Sequence, residues 1–239
     1  MIKSLKIVAI LITGAFLLSS CDADIPVATL KVKYQKSNSE FIDIDGMPVH
    51  YIVEGKLDDS LPIVFIHGTS ASLHTWDTLS SLLKSNKKII RLDLPAFGLT
   101  GPNRLNQYNF NFYNQFLDEF LSKLNVTKCI VAGNSLGGSI AWNYAIASPN
   151  NVKQLILLDA SGYPKKDEKG SLGFKLAGIP VLNQALKHIS PISLIRKSLE
   201  DAFYNKAFVT EKMVQQYHDL LLREGNRAAV LELFQHLLY

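Results

Sequence analysis

The sequence predicts an α/β chain, in which a doubly wound, mostly parallel sheet is followed by a helical cap. Three observations predict it. Apolar runs at residues 63–66, 88–92, 129–132 and 155–158 are short and do not alternate with polar residues, which is the pattern of strands buried on both faces. Helical stretches at 73–83, 114–124 and 136–147 lie between them, so successive strands connect through crossovers and run parallel. After Asp159 the strand signal stops, and only helical spacing is found from 165 to 239.

Taken in order, the chain opens on an address. Lys3 and Lys6 precede an apolar run at residues 7–18, and Ser19-Ser20-Cys21 follows. A basic start, an apolar middle and a small-residue exit read as a signal peptide over 1–20. The run is shorter than the roughly 18 to 20 residues that span a bilayer. Leu18-Ser19-Ser20-Cys21 is similar to the bacterial lipobox, which implies that Cys21 becomes an acylated N-terminus. Asp22 after it resembles the inner-membrane retention signal of enterobacterial lipoproteins. The expectation is a bacterial envelope protein, held to a membrane by lipid, with its folded part outside the cytoplasm and the inner membrane preferred. The polar stretch 21–39, with Lys31, Lys33 and Lys36, reads as a tether from that anchor.

The folded part begins with a hairpin. Residues 41–44 and 49–53 flank Asp45-Gly46, a strong turn signal. The buried strands and their helices follow to about residue 162, so 40–162 is expected to be the sheet domain and 163–239 the cap. Within the cap, 191–203 carries Ile192, Ile195, Leu199 and Phe203 on one face. A second helix, 211–223, is capped by Thr210 and ended by Gly225, and a third, 227–237, is capped by Asn226.

Composition narrows the function classes. The 239 residues are 47% hydrophobic and 19% charged, with 14 Gly and 9 Pro, which excludes a disordered or collagen-like chain. A net charge of +4, two units of it from Lys3 and Lys6, implies no nucleic-acid surface. Of the 2 Cys, Cys21 belongs to the address and Cys129 lies in a buried-strand run, where a thiol acts as a small apolar filler, so no disulfide is expected. No cluster has metal-ligand spacing and no glycine pattern fits a nucleotide loop, so no cofactor is expected.

The chemistry is carried by Gly133-Asn134-Ser135-Leu136-Gly137, a G-x-S-x-G pentapeptide between an apolar strand and a helix. The strand must reverse into the helix within a few residues. That holds Ser135 in a strained conformation with its hydroxyl above the sheet, while Gly133 and Gly137 remove side chains that would collide. The helix opening at Leu136 points free N–H groups at the place where negative charge would develop. His67-Gly68-Thr69-Ser70 follows the strand at 63–66, where the Thr69 amide can join that of Leu136 in an oxyanion hole. His67 ends a strand before a sharp glycine turn, and its expected role is to hold that loop by hydrogen bonds rather than to act as base.

In order and spacing, Asp45-Gly46, Val49-His50-Tyr51, His67-Gly68, the run from Arg91 through Asp93-Leu94-Pro95-Ala96-Phe97-Gly98 to Pro102, Gly133-Asn134-Ser135-Leu136-Gly137-Gly138 and Leu157-Leu158-Asp159-Ala160 resemble the α/β-hydrolase superfamily. The resemblance covers about residues 40 to 239. It implies a serine hydrolase with a helical cap, similar to esterases and to hydrolases of carbon-carbon bonds next to a carbonyl. It further implies that Ser135 is the nucleophile and that 93–98 is a structural loop at the pocket entrance. A serine at 135 argues against epoxide hydrolases and haloalkane dehalogenases, which use Asp there.

That superfamily orders its residues as serine, acid, histidine. Downstream of Ser135 the histidines are His188, His218 and His236, all in the cap and none after a sheet strand. The expectation is therefore an incomplete chain, inactive in this form, lacking the final strands and leaving 155–158 as an exposed sheet edge. Asp159 is the candidate acid, with a strand-end structural role as its alternative. The expected partner is a moderately hydrophobic small-molecule substrate; the oligomeric state is not legible. The competing function is a non-catalytic envelope lipoprotein that uses the pocket or cap for binding.

Overall fold

A computed structural model describes residues 22–162 and 190–237. Cys21, the signal segment and His188 lie outside the described residues. In chain order the elements are α1 (Val27–Tyr34), β1 (Ser39–Ile44), β2 (Met47–Gly55) and β3 (Ile63–Ile66), then a 3-10 turn (Leu73–Trp76) running into α2 (Asp77–Leu83), β4 (Lys88–Leu92) and α3 (Phe110–Lys123). There follow β5 (Cys129–Asn134), α4 (Leu136–Ala147) and β6 (Val152–Leu158), and finally α5 (Ile192–Ala202), α6 (Glu211–Leu221) and α7 (Asn226–Leu237).

The six strands form one sheet in the order β1-β2-β4-β3-β5-β6. β1 and β2 are an antiparallel hairpin, β2 meets β4 antiparallel, and β4, β3, β5 and β6 run parallel. Each parallel strand divides its side chains between two faces. Val64, Ile66, Ile90, Leu92 and Val131 join Phe116, Phe120 and Tyr144 of α3 and α4 on one side. Ile63, Phe65, Ile89, Ile130 and Ala132 meet Trp76, Leu79 and Leu83 on the other, with Phe65 stacked on Trp76 at 4.6 Å. Both faces are covered, which explains why these strands show no polar alternation.

β6 is the exception. Among the described residues it pairs with β5 alone, and Leu155 to Leu158 are each about 40% exposed although all four are apolar. The expected edge is therefore present among the described residues.

The segment expected to be a tether is not one. Residues 22–39 are folded against the domain: Ile25 N–H donates to Leu222 O at 2.7 Å, and Leu30 of α1 is buried between Leu99 and Leu220. The physical reason is pairing. Lys33 and Tyr34 both bond Asp219 of α6, at 2.5 and 2.6 Å, and Lys36 meets Asp77 at 2.6 Å, so charges that looked solvated are spent on intramolecular contacts. No helix among the described residues is long and apolar enough to cross a membrane.

Helix ends refine two further expectations. Asn109 caps α3, accepting from Phe112 N at 2.9 Å, so that helix starts four residues earlier than its apolar spacing indicates. Thr210 caps α6 by accepting from Met213 N. Asn226 is the first residue of α7 rather than its cap, because its amide reaches back to the Gly98 and Leu220 carbonyls.

Candidate active site

β3 is the switch point of the sheet: β4 lies on one side and β5 on the other, and the register pairs Ile66 with Gly133. The residues that follow each strand, His67-Gly68 and Asn134-Ser135, therefore emerge side by side at the carboxyl edge, where open α/β sheets bind ligands.

Ser135 turns from β5 into α4 at φ 51°, ψ −118°. This is a left-handed conformation that a non-glycine residue adopts only under constraint, at about 1 to 3 kcal/mol. The constraint is visible in the hydrogen bonds. Ser135 N donates to Leu158 O at 3.0 Å, while its carbonyl accepts from Gly138, Ser139 and Ser161 at 3.0 to 3.1 Å. Asn134 Nδ2 adds a bond to Leu158 O at 3.1 Å. The elbow is thus sewn to the end of β6.

Glycines make the turn possible. A Cβ on Gly133 would collide with the Gly137 carbonyl, and one on Gly137 would collide with the carbonyls of Ile66 and His67. Gly68 lies directly against the elbow, since a Cβ there would stand 3.2 Å from that of Ser135. Thr69 and Leu136, the two residues expected to supply oxyanion amides, follow Gly68 and Ser135 directly. Neither amide has a backbone acceptor among the described residues.

His67 is fully buried, with both ring nitrogens engaged: Nδ1 donates to Gly68 O at 2.8 Å and Nε2 accepts from Leu94 N at 3.0 Å. Burial pushes its pKa down, against smaller opposing contributions from the Asp93 charge and the Gly68 hydrogen bond. A neutral imidazole spoken for on both sides ties the Gly68 loop to the 93–98 loop.

Asp93 organises the second loop. Its Oδ1 accepts from Leu73 N at 2.7 Å, and its Oδ2 from Leu99 N at 2.8 Å and His50 Nδ1 at 2.7 Å. Burial alone would raise the pKa of this carboxyl; the His50 imidazole, by charge and hydrogen bond, and the Leu73 amide outweigh it and hold the group at about 2. His50 Nε2 in turn meets Ser39 Oγ at 2.8 Å. The chain Ser39–His50–Asp93 escaped the sequence reading, although a histidine inside the buried run 49–53 was a signal that it needed a polar partner.

The cap closes over this loop. Asn226 Nδ2 donates to Gly98 O at 3.1 Å and Arg223 Nη2 to Thr100 O at 3.3 Å. Ser70, Phe97, Leu220, Asn226 and Val230 line a cavity of about 10 Å³, room for a single water. Two carbonyls fix the Asn226 amide, and its buried Oδ1 has no hydrogen-bond partner among the described residues.

The other described histidines have contacts of their own, although the buried His74 Nε2 has no hydrogen-bond partner among the described residues. His74 lies 3.5 Å from Asp77, His218 bonds Ser190 O at 2.8 Å, and His236 meets Glu232 at 3.2 Å on an exposed helix end. Asp159 ends β6 at φ 46°, exposed, and no described imidazole pairs with it or with Ser135. The structure brings together Gly68, Thr69, Ser135 and Leu136, and leaves Asp159 unpartnered by any described histidine. Cys129 is buried, and burial pushes its thiol up to about 11, as suits a packing residue. Among the described residues no group of three His, Cys, Asp or Glu stands together as a metal site.

Residues 62–178 match the family model described as the alpha/beta hydrolase fold. Among curated relatives, an uncharacterized hydrolase of Bacillus subtilis is 27% identical over 177 residues, covering 73% of this chain and 63% of that protein. An sn-1-specific diacylglycerol lipase of Danio rerio is 27% identical over 182 residues, covering 73% of this chain and 53% of its own length. The chain thus spans between half and two-thirds of these two relatives. The crystal structure of Cfl2 from Burkholderia cenocepacia superposes with a TM-score of 0.74 at 23% identity, over 82% of this chain and 70% of that one. The matched segment and the sheet order give the chain the α/β-hydrolase fold, which its structural neighbours share.

Proposed function

We propose that this chain carries the nucleophile and oxyanion hole of a serine hydrolase held at the bacterial envelope by a lipid on Cys21. Ser135 Oγ attacks the carbonyl of an ester, or of a ketone whose neighbouring carbon-carbon bond breaks. The amides of Thr69 and Leu136 hold the oxyanion, and water then releases the acyl group from the serine. The serine proton passes to a base outside the described residues, which returns it to the departing alcohol or carbon, since no described imidazole pairs with Ser135. Asp159 is the acid of this reading, at the end of the strand next to the elbow.

The observation that carries the proposal is the backbone of Ser135. Its positive φ is held by backbone hydrogen bonds on both sides, and its Cβ stands beside Gly68 at the switch point. The name of the Danio rerio relative, a diacylglycerol lipase, agrees with an acyl ester as the substrate class. The alternative of a binding module draws support only from the lack of a paired base among the described residues, and such a module has no use for a strained serine.

The test is hydrolysis of a panel of nitrophenyl esters of rising chain length by membranes from cells producing the protein. Activity present with the natural chain and lost with Ser135→Ala supports the reading. Equal activity in both would overturn it.

A further inference from the structure

Between the β1–β2 turn and the first half of α3 lies a cleft of about 270 Å³, and none of the residues lining it belongs to the elbow or to the Gly68 loop. Met47, at the start of β2, is one of them. In the sheet order β2 stands three strand spacings from β5, about 14 Å, so this cleft is separate from the serine. Its floor is apolar: Met47 and Phe116 are buried, and the Phe112 ring stacks on that of Phe116 at 6.3 Å.

The walls are polar and held in place. Buried Asn103 accepts from Leu105 N at 2.9 Å and Gln107 N at 3.2 Å and donates to Gln107 O at 2.6 Å, which fixes the loop carrying Arg104. The guanidinium lies across the hairpin turn, where Gly46 sits at φ 73° and a Cβ would stand 2.7 Å from Arg104 Nη1. On the facing wall Asn111 and Gln115 are four residues apart, on one side of α3. The side chains of Arg104, Asn111 and Gln115 make no hydrogen bond or ion pair among the described residues. Charge is balanced: Asp45 lines the cleft opposite in sign to Arg104, and Glu119 is neutralised by Lys123 at 2.9 Å.

We propose that this cleft is a binding site for one neutral pyranose ring, seated on Met47, Phe112 and Phe116 and held at its hydroxyls by Arg104, Asn111 and Gln115. Size limits the ligand first, since the volume falls just below the roughly 300 Å³ at which sites for drug-sized molecules begin. The balanced walls offer no surplus charge to a phosphate or a carboxylate. A wholly apolar ligand would strip water from two amides and a guanidinium and give them no partner. A pyranose meets both demands: its C–H face covers the apolar floor, and each hydroxyl donates and accepts as a side-chain amide does.

The experiment is saturation-transfer NMR on the full chain with the methyl glycosides of glucose, galactose and mannose, each at millimolar concentration. Transfer to at least one of them is expected, strongest at the C–H protons of one ring face. Asn111→Leu and Gln115→Leu are each expected to raise its dissociation constant about tenfold, the worth of one or two hydrogen bonds. Both positions are exposed on α3 and leucine keeps the helix propensity, so an unchanged urea midpoint shows that the fold is intact. Ser135→Ala is expected to bind the sugar as the natural chain does. No transfer to any of the three glycosides, or the same affinity in both leucine variants, would overturn the proposal. Loss of binding in Ser135→Ala would move the sugar to the serine and overturn it as well. Binding of inorganic phosphate through Arg104, abolished by Arg104→Ala, with no sugar bound, would make the cleft an anion site instead.

Discussion

Gly68 and Ser135 stand so close that a methyl group on Gly68 would lie 3.2 Å from the serine Cβ. The loop carrying Thr69 is therefore set by contact with the residue it would serve. Gly68→Ala must push the two apart by a few tenths of an ångström, and small misplacements of catalytic groups are expensive in rate. Ester hydrolysis by Gly68→Ala is expected to fall roughly tenfold in kcat with little change in KM. An unchanged kcat would show that this loop does not serve the serine.

Gly137→Ala tests the elbow itself. Its Cβ would meet two backbone carbonyls, Ile66 and His67, neither of which is a flexible side chain that can swing away. Overpacking against backbone is expected to destabilise the protein by about 2 kcal/mol or more, read as a lowered midpoint in urea.

His67→Gln separates a structural histidine from a base. The substitution disturbs the bonds to Gly68 O and Leu94 N, so a loss of about 2 kcal/mol in stability is expected. Because the ring is neutral and engaged at both nitrogens, the pH dependence of any residual activity is expected to keep its shape. A lost inflection near neutrality would assign His67 to proton transfer.

Asp93 sets the acid limit of the fold. Its folded pKa of about 2 lies below the ordinary 3.8, so the folded state holds fewer protons and stability is present above the unfolded value. That contribution, about 2 kcal/mol, is full above pH ~4 and is lost as pH falls toward 2. Urea midpoints between pH 5 and 2 should fall for the natural protein, and more weakly for Asp93→Asn, which starts from a lower plateau.

Much of this was legible in the chain. Residues 63–66 and 88–92 are the observed strands β3 and β4, because burial on both faces leaves a continuous apolar run. The elbow at Ser135 could be read because its glycines have a steric cause that is written into the sequence. Residues 22–39 read as a tether for the opposite reason: Lys33 and Lys36 look solvated until Asp219 and Asp77 arrive from 186 and 41 positions further on. The His50–Asp93 pair and the reach of Asn226 to Gly98 are likewise long-range, and no local spacing encodes them.

The proposed role of Ser135 is that of a nucleophile held ready by its backbone. The most direct measurement is labelling of cells producing the protein with a fluorophosphonate, followed by digestion and mass spectrometry of the modified peptide. One phosphonylated serine, Ser135, is expected, with loss of the label in Ser135→Ala while the protein itself is still produced. Label that persists in Ser135→Ala, or that maps to another serine, would contradict it.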